Sequence, residues 1–158
     1  EQGTGRVLAV GAGATEILAE GLDTPVGIAI TPVGEVLVSE SGAGRVVTVA
    51  GGRSRPLIEG LVQPQGLLVR DGTVYVVDAG SKEVIAVDLA EGTRSVIAAG
   101  LPVGAPTGVT PKPLLGMPPF SGPQGPFAGI AAGADGTLFV SADADGSVLA
   151  LRPDEPRP

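Results

Sequence analysis

The chain has 158 residues, 43% apolar and only 3% aromatic, with no His, no Cys and a formal net charge of −7. This length fits one domain with a core of Val, Leu, Ile and Ala, and the missing residues exclude Ser-His-Asp catalysis, Cys-His catalysis and disulfides within the chain. Ten basic against seventeen acidic residues, with no basic stripe, argue against nucleic acid or an anionic membrane surface as a partner.

Taken in order, the apolar residues fall into short β-branched runs separated by Gly and Pro, which reads as strands and turns rather than disorder. GTGRVLAV at 3–10 is a polar turn and a strand, followed by a second strand at 14–19. GIAITPVGEVLVSE at 27–40 is a hairpin whose turn carries Gly34; GAGRVVTV at 42–49 is the next strand, and 54–59 the one after. The pattern returns as GLLVRDGTVYVVD at 66–78 with Gly72 in the turn, GSKEVIAV at 80–87 and a strand at 93–98. It returns again as GIAAGADGTLFVSA at 129–142 with Gly136, and ADGSVLAL at 144–151. Glycine at those turns supplies the positive φ a tight hairpin needs. EGL at 20–22 and 59–61, with AGL at 99–101, marks the same point of each unit.

Four short strands per unit, here A to D, at a period near 40 residues are the signature of propeller blades. A β-sandwich also spaces strands every ~8–12 residues, but gives no reason for motif identity at the longer period. The expected architecture is therefore an all-β propeller of four-stranded antiparallel blades, with units at 3–22, 27–61, 66–101 and 129–152 and a Pro-rich insertion at 102–127. The order C-D, A-B-C-D, A-B-C-D, A-B-C amounts to about three blades, whereas a closed ring takes about four to eight. Ring closure is expected to need a complementary half, from another polypeptide or a second copy, because open apolar edges aggregate. The chain opens Glu1-Gln2 without an initiator Met or signal peptide, as expected of a processed or truncated product. No apolar run approaches the ~20 residues of a membrane span, and the expectation is a soluble protein, secreted or of the cell envelope.

PVGIAI at 25–30 with VLVSESGAGRVVTV at 36–49, and PQGLLV at 64–69 with VYVVDAGSKEVIAV at 74–87, resemble the NHL-repeat and SMP-30/gluconolactonase-like propellers. The third copy, from Gly129, fits less fully, because Pro126 lies one residue further from its glycine. The resemblance implies a ring of six blades, and a ligand face where the D-to-A and B-to-C connections emerge. Such propellers include hydrolases, lyases and binding modules. In gluconolactonase-like enzymes an Asn or Asp metal ligand precedes the glycine that opens strand A; here those positions are Val26, Gln65 and Ala128. The resemblance therefore implies little of a metal site in this half.

The ligand face is expected to hold Asp23, Glu40, Gln63, Gln65, Asp78, Lys82, Asp143 and Asp145. Glu40 and Asp78 share one position at the end of strand B, with Asp143 one place out of register. In the resembling family an acid here hydrogen-bonds turn amides; the functional alternative is a carboxylate ring, for which calcium would be the natural ion. No other cofactor is expected. Asp143-Ala144-Asp145-Gly146 resembles part of a calcium loop but lacks its terminal Glu, and reads as a turn. Lys82 reads as a solvated lysine. Ser39 and Ser141 recur at one site, without a base to activate either. The insertion, with Leu114, Leu115, Met117, Phe120 and Phe127 on an apolar side, reads either as a lid or wall over the central channel or as a structural plug or an apolar patch that meets the missing half. These features favour a module that binds a protein, peptide, glycan or small molecule. The alternative is a calcium-dependent lactone hydrolase with most of its catalytic groups on the missing half.

Overall fold

The computed structural model describes residues 1–106, 108–109 and 127–152. Among them are thirteen strands and no helix. They are β1 (Val7–Gly11), β2 (Ala14–Ala19), β3 (Pro25–Ile30), β4 (Val36–Glu40), β5 (Arg45–Ala50), β6 (Arg53–Ile58), β7 (Pro64–Arg70), β8 (Thr73–Asp78), β9 (Glu83–Asp88), β10 (Arg94–Ala98), β11 (Ile130–Ala132), β12 (Leu138–Ala142) and β13 (Ser147–Leu151). They form four antiparallel meanders in chain order: β1-β2, β3-β4-β5-β6, β7-β8-β9-β10 and β11-β12-β13. No described helix is long and apolar enough to cross a membrane.

Local chemistry sets the meanders. Gly34, Gly72 and Gly136 take φ of 87°, 77° and 89° at the A-to-B turns, a region closed to most side chains. Strand A begins at Pro25 and Pro64, two residues before the glycines that the repeat suggested as its start. Pro25 pairs with Glu40 and Pro64 with Asp78, each followed by a bulge before pairing resumes at Ile28 and Leu67. A proline donates no amide hydrogen, so it is tolerated at a strand's first position beside a bulge. The outer strand β6 carries Arg53, Arg55 and Pro56, devices that discourage further pairing at a sheet edge.

Because side chains alternate across a strand, every inner sheet has two apolar faces and needs a neighbour on each. Val7, Ala19 and Leu22 pack against Val38, Val47 and Val49 of the second sheet. Leu37 and Val46, on the opposite face of that sheet, meet Leu67, Val74, Val76 and Ile85 of the third. Val77 and Val84 then meet Ala128 and Val140 of the fourth. Each such buried Val, Leu or Ile side chain contributes about 1.5–3 kcal/mol, so the core is a series of slabs between sheets.

At the inner strands the sheets approach backbone to backbone. A Cβ added to Gly27 would lie 2.0 Å from Gln65 O, and one added to Gly66 would lie 2.6 Å from Ala128 O. Ser39 ties the same contact: its Oγ accepts from Gly27 N and donates to Gln65 O, both at 2.7 Å.

Candidate functional site

The B-to-C turns and D-to-A connections gather the sequence-predicted polar residues, and the structure shows what each one holds. Glu40 is buried; its Oε1 accepts from Asp23 N at 2.8 Å and its Oε2 from Arg45 Nε at 2.6 Å. This carboxylate, first among its causes, raises the pKa of the Arg45 guanidinium. Asp78, equally buried, accepts from Val62 N and Gln63 N at 2.8 Å, and from Gly80 N and Ser81 N at 3.1 and 3.3 Å. Both acids latch a blade's turn to the connection that leads into it. The exposed Asp23 carboxylate lies against Gly42, where a Cβ would come within 2.2 Å of Oδ1.

The second group holds the two described ends of the long insertion. Lys82 is not a solvated lysine: its Nζ donates to Val103 O, and to Ala105 O at 2.5 Å. It does so from a left-handed backbone, φ 65°, at the turn position where Gly5, Gly44 and Gly146 stand in the other units. From the next blade, Asp143 Oδ1 accepts from Gly104 N at 2.7 Å, and Ala144 N donates to Pro102 O at 3.1 Å. Where the insertion rejoins the sheet, the buried Gln65 accepts from Ala128 N at 2.7 Å through Oε1. Phe127 is half exposed, its ring edge near Gly129. Leu114, Leu115, Met117 and Phe120 lie outside the described residues.

Asp145 caps its own turn by accepting from Ser147 N at 3.0 Å, and hydrogen bonding by Ser147 lowers its pKa. The donor set does not fit a calcium ion. The oxygens of Glu40 and Asp78 accept from backbone amides and Arg45, and no three acids converge among the described residues. Sequence reasoning missed two roles: Ser39 as a bridge between blades, and Gln65 as the anchor of Ala128. Both depend on distances between sheets, which no single repeat carries. The recurrence of Ser39 and Ser141 beside the strand-A glycines was the available signal.

Lys82→Met is expected to lower stability by about 2 kcal/mol, the usual worth of hydrogen bonds from a charged donor, as read by urea unfolding. Lys82→Gly is expected to recover about 1 kcal/mol of that loss, since glycine accepts the left-handed backbone freely. Equal losses in the two variants would contradict the strain at this position.

No protein-family model and no curated protein sequence matches the chain. Among solved structures it is similar to virginiamycin B lyase from Staphylococcus aureus, at a TM-score of 0.62 and 16% identity, covering 99% of this chain and 51% of that one. A putative oxidoreductase (glucose dehydrogenase) from Thermus thermophilus matches at 0.62 and 22%, covering 90% and 48%. A streptogramin B lyase matches at 0.50 and 19%, covering 84% and 41%. The chain thus spans about half the length, or less, of these solved structures. With its four-stranded antiparallel sheets and these neighbours, the fold is an all-β propeller.

Proposed function

We propose that this chain is an NHL-like, non-catalytic propeller module, about half of a ring whose six blades the family resemblance implies, which recognises a protein, peptide or glycan at its loop-bearing face. The observation that carries this reading is the double anchoring of the insertion. Lys82 and Asp143 pin its entry from two adjacent blades, and Gln65 pins its exit. A loop held at both feet on a rigid platform is how scaffolds present binding residues. Gln65, Asp78, Lys82 and Asp143 all hold backbone groups.

The composition supports recognition rather than turnover by this half. The S. aureus enzyme is known in a catalytically inactive form made by a histidine-to-alanine change, with quinupristin, and this chain contains no histidine.

Replacing residues 106–126 by a short Gly-Ser linker tests the reading on the full chain, against immobilised peptide and glycan arrays. Captured ligands should be lost while the thermal midpoint stays within about 2 °C, less than ~1 kcal/mol for a chain this size. A collapse of the midpoint with no ligand ever captured would make the segment a structural plug and overturn the proposal. Calcium-dependent turnover of a lactone panel by a completed ring would replace it with the hydrolase.

A further inference from the structure

The outward face of the last sheet carries, at the valine of its third strand, a position that the two preceding sheets bury completely. Ser39 faces Val46 across β4 and β5, Val77 faces Val84 across β8 and β9, and Ser141 faces Val148 across β12 and β13. Val46 and Val84 are 0% exposed, each covered by the sheet that follows; Val148 is 69% exposed. One pair further along the same face, Leu37 is 0% exposed and Phe139 41%. The polar part of the surface repeats as well. Ser141 Oγ accepts from Gly129 N at 2.6 Å, as Ser39 Oγ does from Gly27 N. Ser39 also donates across the interface to Gln65 O, the carbonyl before the next blade's glycine; among the described residues Ser141 has no such acceptor. Gly27 and Gly66 are each closed off by backbone of the next blade, whereas the described atoms nearest Gly129 belong to Phe127, just ahead of its strand, and to Ser141.

We infer that the β11–β13 face is a blade-to-blade interface whose occupant is a further four-stranded blade from outside these 158 residues, and that this blade's first strand offers Ser141 the carbonyl preceding a glycine. The inference deepens the half-ring reading proposed above and rests on it. Continuity with the two interfaces already formed fixes the chemistry of the occupant: aliphatic side chains over Phe139 and Val148, and bare backbone at the hub. A second copy of this chain does not supply it. A second copy would bring β1-β2 first, a sheet equivalent to strands C and D, which has no A strand to receive the Ser141 hydroxyl. Its β1 would also compete with β13 for the same place in a shared blade.

The test appends to the full chain, after Pro158, a copy of residues 53–101, which carries a D strand and one complete blade. The extended chain is expected to melt at least about 5 °C higher than the 158-residue chain. Val148→Asp should lower the midpoint of the extended chain by about 5 °C or more and leave that of the 158-residue chain unchanged, because there the side chain is in water. Ser141→Ala should act in the same direction by a smaller amount. Equal effects of Val148→Asp in both chains, or no rise on extension, would overturn the assigned surface. Light scattering separates the failures. A stable 158-residue monomer at high concentration would overturn the half-ring reading itself. A discrete dimer abolished by Val148→Asp would put a second copy on the face and overturn the occupant.

Discussion

Asp78→Ala is expected to lower the unfolding free energy by about 3–5 kcal/mol, because several hydrogen bonds to a charged acceptor, each worth about 1.5–3 kcal/mol, are lost together. The carboxylate is 1% exposed and accepts from four backbone amides, two in the connection before its blade and two in its own turn. Each donor left dry costs about 1–3 kcal/mol, and water entering the vacated space offsets part of the sum. Asp78→Asn should recover little, since its amide group can turn only one oxygen toward donors that now use two. The measurement is urea unfolding by circular dichroism, with Asp145→Ala, in an exposed turn, as the comparison. Losses below about 0.5 kcal/mol, ordinary for a surface site, would show that the latch does not bear on stability.

Gly27→Val should be as damaging for a different reason. The atom in the way is a backbone carbonyl, Gln65 O, 2.0 Å from where the Cβ must stand, and backbone in a paired strand cannot swing aside. Relief requires the second and third sheets to separate at the hub, which loosens the Leu37, Val46, Leu67 and Val76 cluster. Overpacking typically costs about 1–3 kcal/mol and occasionally more, and this site belongs at the upper end. The control is Gly34→Ala. Its φ is 87° but nothing lies within 4 Å of the added atom, so only backbone strain of about 1–2 kcal/mol applies. Dye binding to exposed apolar surface should rise for Gly27→Val and not for Gly34→Ala. The same response from both would mean the close approach is not what selects glycine at position 27.

The strands were legible because their signal is local. Period-two apolar runs, glycine at each A-to-B turn and the return of EGL needed no knowledge of neighbours. The start of strand A was not legible. A proline ahead of a glycine reads as a boundary, and only the cross-strand partners Glu40 and Asp78 bring Pro25 and Pro64 into the sheet. At the candidate site, sequence position puts Asp23, Glu40, Gln65, Asp78, Lys82 and Asp143 toward one end of the blades, yet it could not say what each one touches. Lys82 shows the difficulty. An isolated lysine in a Gly-rich turn is normally solvated, and its carbonyl partners lie 21 and 23 residues away, in a segment with no repeat to align it. Gln65 stands just before the glycine of its strand, and only its geometry shows that it serves a backbone amide of the next blade.

The slab-by-slab core has a bearing on how such a molecule changes length. Packing runs from each sheet to its successor, and the hub glycines Gly27 and Gly66 stand 39 residues apart. Folding energy in a stack of this kind is close to a sum over units and the seams between adjacent ones. Duplicating or excising one such stretch of coding sequence rewrites a single seam and leaves the others as they were. Growth or shrinkage by whole units is therefore a small evolutionary step for this molecule, whereas a shift of a few residues would unseat every latch downstream within the same unit.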